Sequence, residues 1–138
     1  MRSSSPADTE GAAAALAAEL RPGDLVLVRG EMGAGKTTFV RGAARALGVT
    51  GPVTSPTFTI GQRYQGARGP VAHLDLHRLS TLDGEDPALL ADYVTPDAIA
   101  FVEWPEVGEG ELAERATHEV LLRHAGQDAR EVEVRRCS

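Results

Sequence analysis

The sequence predicts an α/β fold of three layers, a mixed central sheet flanked by helices, and three observations carry that expectation. First, the apolar run Leu25-Val26-Leu27-Val28 leads straight into Gly30-Glu31-Met32-Gly33-Ala34-Gly35-Lys36-Thr37-Thr38, after which apolar residues recur at helical spacing. Second, the apolar segments Val71 to Leu76 and Ala98 to Val102 offer acids, Asp75 and Glu103, at their C-terminal ends, where open α/β sheets bind ligands. Third, alternating segments joined by turn residues predict two hairpins, and hence antiparallel neighbours in the sheet.

In chain order, a short Ser-rich start precedes an Ala-rich helix that Asp8 or Thr9 can cap, with Leu16 and Leu20 on one face. Arg21-Pro22-Gly23-Asp24 turns the chain into the first buried strand. Beyond the glycine-rich loop, Phe39, Val40, Ala43, Ala44 and Leu47 mark a helix, with Arg45 in its last turn and Gly48 as its stop. Gly51 to Thr57 is a loop rich in hydroxyls, either an ordinary connector or a switch that senses a γ-phosphate. Phe58, Ile60 and Tyr64 alternate into a turn at 65–70, and Val71 to Leu76 returns. After a polar stretch with a helical patch at Ala88-Leu89-Leu90-Ala91 comes the strand ending in Glu103, with Pro105 as its stop. A short helix at 111–116 and a hairpin of 118–123 and 130–136, turning at Gly126-Gln127-Asp128, complete the chain.

The loop fits the phosphate-binding pattern G-x-x-x-x-G-K-[ST] without a gap. Phosphates need several inward-pointing N–H groups, so the backbone must bend where a Cβ would obstruct it; Gly30, Gly33 and Gly35 permit this. Lys36 would reach the terminal phosphates, and the Thr37 hydroxyl would stand where Mg2+ takes protein and phosphate oxygens together. The order strand, loop, helix sets those phosphates at a helix N-terminus, where backbone dipoles favour negative charge. Of the 14 basic residues, Lys36 is the only lysine, and it occupies the one place where such a loop requires one.

Length and composition narrow the classes further. The 138 residues predict a single domain spanning 1–138. One cysteine, Cys137, excludes an internal disulfide framework and a cysteine metal site and suits a reducing cytoplasm. Neither a secretory signal nor an apolar stretch of membrane-spanning length is expected, so a cytoplasmic protein is the default. The net charge of −6 argues against a broad basic surface for nucleic acid, although Arg135-Arg136 forms a local patch.

On the returning strand, His73, Asp75 and His77 share a face. A transition-metal site is one reading of that trio. The favoured one gives Asp75 to Mg2+ or to the attacking water and leaves the histidines structural. Glu103 is the second acid beside the loop, or a structural carboxylate at a strand exit. Arg130 faces either nucleotide or solvent.

Taken together, Gly33-Ala34-Gly35-Lys36-Thr37-Thr38, Ser55-Pro56-Thr57-Phe58, His73-Leu74-Asp75-Leu76-His77-Arg78-Leu79 and Val102-Glu103-Trp104-Pro105 resemble, in order and approximate spacing, the TsaE (YjeE) family. These are small bacterial ATPases of tRNA threonylcarbamoyladenosine biosynthesis with a P-loop NTPase-like fold. The resemblance implies that Thr9 lies against the base of ATP, that Gly33, Ala34, Gly35, Lys36, Thr37 and Thr38 hold phosphates, and that Thr37 with Glu103 binds Mg2+. It makes Asp75 the other active-site carboxylate and Arg130 a late nucleotide contact. The family usually has tyrosine at position 77, and aspartate and leucine at 31 and 32. The resemblance also implies association with the TsaD–TsaB synthase, which modifies adenosine 37 of tRNA, so that tRNA is met indirectly, through the complex.

ATP hydrolysis is the leading function, with Lys36, Asp75 and Glu103 as its catalytic residues. A GTPase switch is disfavoured because N-K-x-D and T-K-x-D need a second lysine. A small-molecule kinase would need an acceptor pocket and a basic lid. A nucleotide-gated interaction module that hardly turns over alone is the non-enzymatic alternative.

Overall fold

The computed structural model describes residues 2–31, 34–53, 61–76, 88–126 and 129–137, the side chains of 88, 89, 107–109 and 111 excepted. Seven strands make one sheet in the order β1-β7-β6-β2-β5-β4-β3, with helices on both faces. The three-layer α/β architecture with a mixed sheet is therefore as the sequence predicts.

The chain opens with a two-residue strand, β1 (Arg2–Ser3), and a helix, α1 (Pro6–Ala17). Ser5 caps α1, not Asp8 or Thr9: its side chain accepts from the Asp8 N–H at 3.1 Å, while the Asp8 carboxylate accepts from the Ser4 N–H at 3.0 Å. Pro6 explains the earlier start, because its fixed φ and missing N–H suit the first helical position. The strand β2 (Leu25–Gly30) and the helix α2 (Lys36–Ala46) flank the loop. The hairpin β3 (Gly61–Gly66) and β4 (Gly69–Asp75) turns on Ala67-Arg68. A short helix α3 (Ala88–Ala91) precedes β5 (Ile99–Glu103), and a 3-10 turn at Pro105–Gly108 leads into α4 (Glu109–Arg115). The last hairpin is β6 (His118–His124) and β7 (Arg130–Arg136).

The centre of the sheet is parallel: β2 lies between β5 and β6, and β5 between β2 and β4. Strands buried on both faces cannot alternate in polarity, which is why Leu25 to Val28 and Ile99 to Val102 are continuous apolar runs. One face of the sheet (Val26, Val28, Val71, Ile99, Phe101, Val120) packs under α1 and α2. The other (Leu25, Leu27, Ala72, Leu74, Ala100, Val102) meets Leu90 of α3 and Leu112 of α4. Phe39 and Phe101, both fully buried, each supply roughly 1.5–3 kcal/mol of apolar burial where α2 crosses the sheet. Gly42 sets how closely α1 and α2 approach, since a Cβ there would lie 2.6 Å from the Glu10 Cα.

Parallel packing fixes the chemistry's location. β2, β4 and β5 run in one direction, so Gly30, Asp75 and Glu103 all emerge at the same end of the sheet.

Candidate active site

The loop between β2 and α2 is held close to the sheet. A Cβ on Gly30 would lie 2.7 Å from the Leu122 carbonyl oxygen of β6, so glycine here answers to strand contact rather than to loop bending alone. Gly35 is the backbone case: φ is 98°, and a Cβ would meet no atom within 4 Å. It caps α2 without a side-chain acceptor, leaving the first N–H groups of the helix directed at the loop.

Lys36 opens α2, is only 5% exposed, and donates from Nζ to the Gly30 and Glu31 carbonyls, each at 2.7 Å. Its ammonium also stands 4.4 Å from the centroid of the Trp104 ring, an attractive cation–π arrangement. Burial lowers its pKa below the usual 10.5, and the charges of Glu103, Asp75, Glu106 and Glu31 pull the other way.

The acids arrive from two adjacent strands. In the parallel register Asp75 of β4 lies beside Glu103 of β5, and Val28 of β2 lies on the other side. Glu103 is 2% exposed and accepts from the Thr37 hydroxyl at 3.2 Å (Oε2) and 3.4 Å (Oε1). Strand alternation turns Glu103 toward the face that α2 covers, so the first turn of the helix meets the end of the strand.

Two residues that sequence reasoning passed over belong to this site. His73, expected to be structural, is wholly buried, and its Nε2 lies 2.5 Å from Glu103 Oε2. Alternation along β4 put His73 and Asp75 on one face, but no sequence signal gives the register against β5. Trp104 was read only as part of a motif. Its φ of 57° is uncommon for a bulky residue, and it carries the ring from the end of β5 over Lys36. The only signal was a single tryptophan placed before a proline.

Thr9, assigned by resemblance to the base, and Arg130, assigned as a late nucleotide contact, lie in a second cluster. The buried Thr9 hydroxyl is 2.6 Å from that of Ser3, and Ser3 pairs with Arg130 across β1 and β7. Gly30 faces Leu122, Leu122 faces Val132, and Arg130 faces His124. Arg130 is thus two strands from the loop, about 10 Å sideways at the usual strand spacing, and at the loop's end of the sheet. Arg130 Nη1 donates to the Ala129 carbonyl at 3.0 Å. Ala34 is buried, and Thr38 lies in the first turn of α2. Gly33, Ser55 to Phe58 and His77 lie outside the described residues.

The donor set fits the expected ligands. A neutral hydroxyl and a carboxylate converge as hard oxygen donors of the kind Mg2+ prefers, beside uncapped N–H groups and a buried cation suited to phosphates. The metal reading of the trio His73, Asp75 and His77 falls partly outside the described residues, because His77 is among those not described. Beside the loop, Arg29, Glu31, Trp104, Glu106, Leu121 and Arg123 line an open groove of about 600 Å3. Arg29 pairs there with Glu119 at 3.0 Å and Glu106 at 3.6 Å. The expected basic patch at Arg135-Arg136 is locally compensated, Arg135 by Glu119 at 3.2 Å and Arg136 by Glu19 at 3.6 Å. No helix among the described residues is long and apolar enough to cross a membrane.

Residues 3–132 match the family model described as "Threonylcarbamoyl adenosine biosynthesis protein TsaE". A Bacillus subtilis protein named for TsaE of tRNA threonylcarbamoyladenosine biosynthesis is 36% identical over 131 residues, covering 95% of this chain and 81% of its own length. A Streptomyces coelicolor protein of the same name is 44% identical over 110 residues, covering 78% and 72%. The crystal structure of Bacillus subtilis YdiB superposes with a TM-score of 0.76 at 33% identity, covering 96% of this chain and 80% of that one.

Proposed function

The chain belongs to the TsaE family and so to tRNA threonylcarbamoyladenosine biosynthesis, and on that footing we propose that its part is Mg2+-dependent ATP binding and hydrolysis in support of a TsaD–TsaB synthase. One observation carries the reading: the Thr37 hydroxyl and the Glu103 carboxylate meet at 3.2 Å beside the buried Lys36, with Asp75 in register next to Glu103.

Each residue then has a task its position suits. The N–H groups at the start of α2 and the Lys36 ammonium bind the phosphates and neutralise charge that builds up during phosphoryl transfer. Thr37 and Glu103 would hold Mg2+, which would supply charge neutralisation at the phosphates. Asp75 orients the attacking water or accepts its proton. Thr9 and Arg130 contact the base end of the nucleotide. ATP is favoured over GTP because the only lysine is spent in the loop.

The other reading, a nucleotide-gated module with little turnover of its own, has one observation in its favour. Lys36 donates to two carbonyls and is covered by the Trp104 ring, so a productive arrangement asks for rearrangement around it. The two readings share the site and differ in rate. Phosphate release from Mg-ATP, measured with and without TsaD–TsaB, tests both. Hydrolysis that rises when the partners are added supports the ATPase reading. ATP binding with no hydrolysis in either condition sinks it and leaves the binding module.

A further inference from the structure

We propose that His73 is a positioning residue: its Nε2–H holds the Glu103 carboxylate in the orientation that turns it toward Thr37, where the two would serve Mg2+. The inference rests on the reading of Glu103 and Thr37 as the Mg2+ site.

His73 is 0% exposed, flanked on its face of β4 by Val71 and Asp75, with Phe101 opposite it on β5 and Gln62 opposite it on β3. An imidazole in such surroundings costs desolvation unless its nitrogens find partners. One does: Nε2 lies 2.5 Å from Glu103 Oε2. The other does not, for Nδ1 is buried with no partner among the described residues. A carboxylate can only accept, so the proton belongs on Nε2, and the bare Nδ1 lone pair is the cheaper atom to leave unpaired. An unsatisfied buried acceptor still carries a desolvation cost, which an apolar side chain at position 73 would avoid. What the histidine provides in return is a fixed rotation of Glu103. With Oε2 anchored from the core side, both carboxylate oxygens face the Thr37 hydroxyl, Oε2 at 3.2 Å and Oε1 at 3.4 Å. Donors behind metal-binding carboxylates and histidines commonly set metal affinity, and their removal costs about 10- to 100-fold.

The full chain carrying His73→Leu or His73→Gln tests this, since glutamine can present an N–H near the Nε2 position and leucine cannot. ATP binding is followed by the emission of Trp104, the only tryptophan, in EDTA and then across a Mg2+ titration. The expected result for His73→Leu is ATP binding in EDTA within about twofold of wild type, but a Mg2+ requirement raised about 10-fold or more. His73→Gln should recover most of that difference. An unchanged Mg2+ requirement in His73→Leu, with wild type responding normally, overturns the positioning role alone, as does a glutamine variant no better than the leucine one. A wild-type protein whose ATP binding ignores Mg2+ overturns the reading of the site itself. Should His73→Leu fail to fold, long-range 1H–15N spectra of the wild-type histidines decide: the neutral Nε2–H tautomer of His73 supports the proposal and the Nδ1–H tautomer refutes it.

Discussion

Replacing Lys36 by methionine separates charge from packing at the centre of the proposed site. Methionine keeps an unbranched stem under the Trp104 ring, where sulfur–aromatic contact is favourable, and removes only the ammonium. A unit charge about 4 Å from a phosphate charge, at an effective dielectric near 20, is worth roughly 4 kcal/mol. Loss of one preorganised donor at developing charge typically costs about 2.7–4 kcal/mol, so phosphate release should fall ~100- to ~1000-fold. Single-turnover release with protein in excess of Mg-ATP, and with the synthase partners present, keeps weakened binding from masquerading as slow chemistry. The folded state should survive, because burial already opposes the charged form of Lys36. Its lowered pKa means that the native state binds fewer protons than the unfolded one between that lowered value and 10.5. Wild-type stability without nucleotide therefore gains a contribution as pH rises through that window and carries the full charge-burial penalty below it. Lys36→Met should lack this alkaline gain, read as the difference between the two denaturation curves. A folded variant that releases phosphate within about threefold of wild type refutes the assignment of Lys36 to the phosphates.

Other residues test the remaining parts of the site. Asp75→Asn should bind ATP and Mg2+ within a few-fold of wild type yet lose about 100-fold or more in single-turnover release, the usual scale for a positioned general base. Arg130→Ala and Thr9→Val should weaken ATP binding while leaving pyrophosphate binding unchanged, read by calorimetry, because both lie in the cluster at β1 and β7 and away from the loop. Gly42→Val should destabilise the fold by about 1–3 kcal/mol through overpacking, read by thermal denaturation, since its Cβ would lie 2.6 Å from the Glu10 Cα and 2.9 Å from the Glu10 carbonyl oxygen.

How legible the molecule was follows from how local each determinant is. The strand before the loop and the strand ending in Glu103 announce themselves because burial on both faces demands unbroken apolar runs. The helix after the loop does so through its 3.6 period and its glycine stop. By contrast, β1 is two residues long, Arg2 and Ser3, and exists only through pairing with Glu131 and Arg130 at the far end of the chain. No periodicity can show that. The cap of α1 was misplaced because three candidate cap types, Ser5, Asp8 and Thr9, stand close together, and the deciding feature is the proline after Ser5. Within the candidate site, residue type and loop spacing singled out Lys36, Thr37, Asp75 and Glu103, which the fold brings to one end of the sheet. The contacts of His73 and Trp104 with them depend on inter-strand register and on one left-handed backbone angle, neither of which is written in local sequence.

The charge pattern bears on how such a site would serve a tRNA-modifying pathway. A chain of net charge −6 that held RNA by itself would need its arginines gathered and unspent. Instead Arg29 and Arg135 share Glu119, Arg136 stands beside Glu19, and Arg45 beside Glu10. Such pairs, mostly near the surface, add little stability, about 0–1 kcal/mol each, but they blunt the positive potential that phosphate backbones seek. Their placement also ties the glycine-loop end of the sheet to its outer hairpin, because Arg29 directly precedes Gly30 and reaches both β6 and the turn that follows Trp104. A loop of phosphate-binding pattern wired to surface acids, with Arg29, Arg45, Arg135 and Arg136 already engaged, is better matched to acting on protein neighbours than to gripping RNA directly.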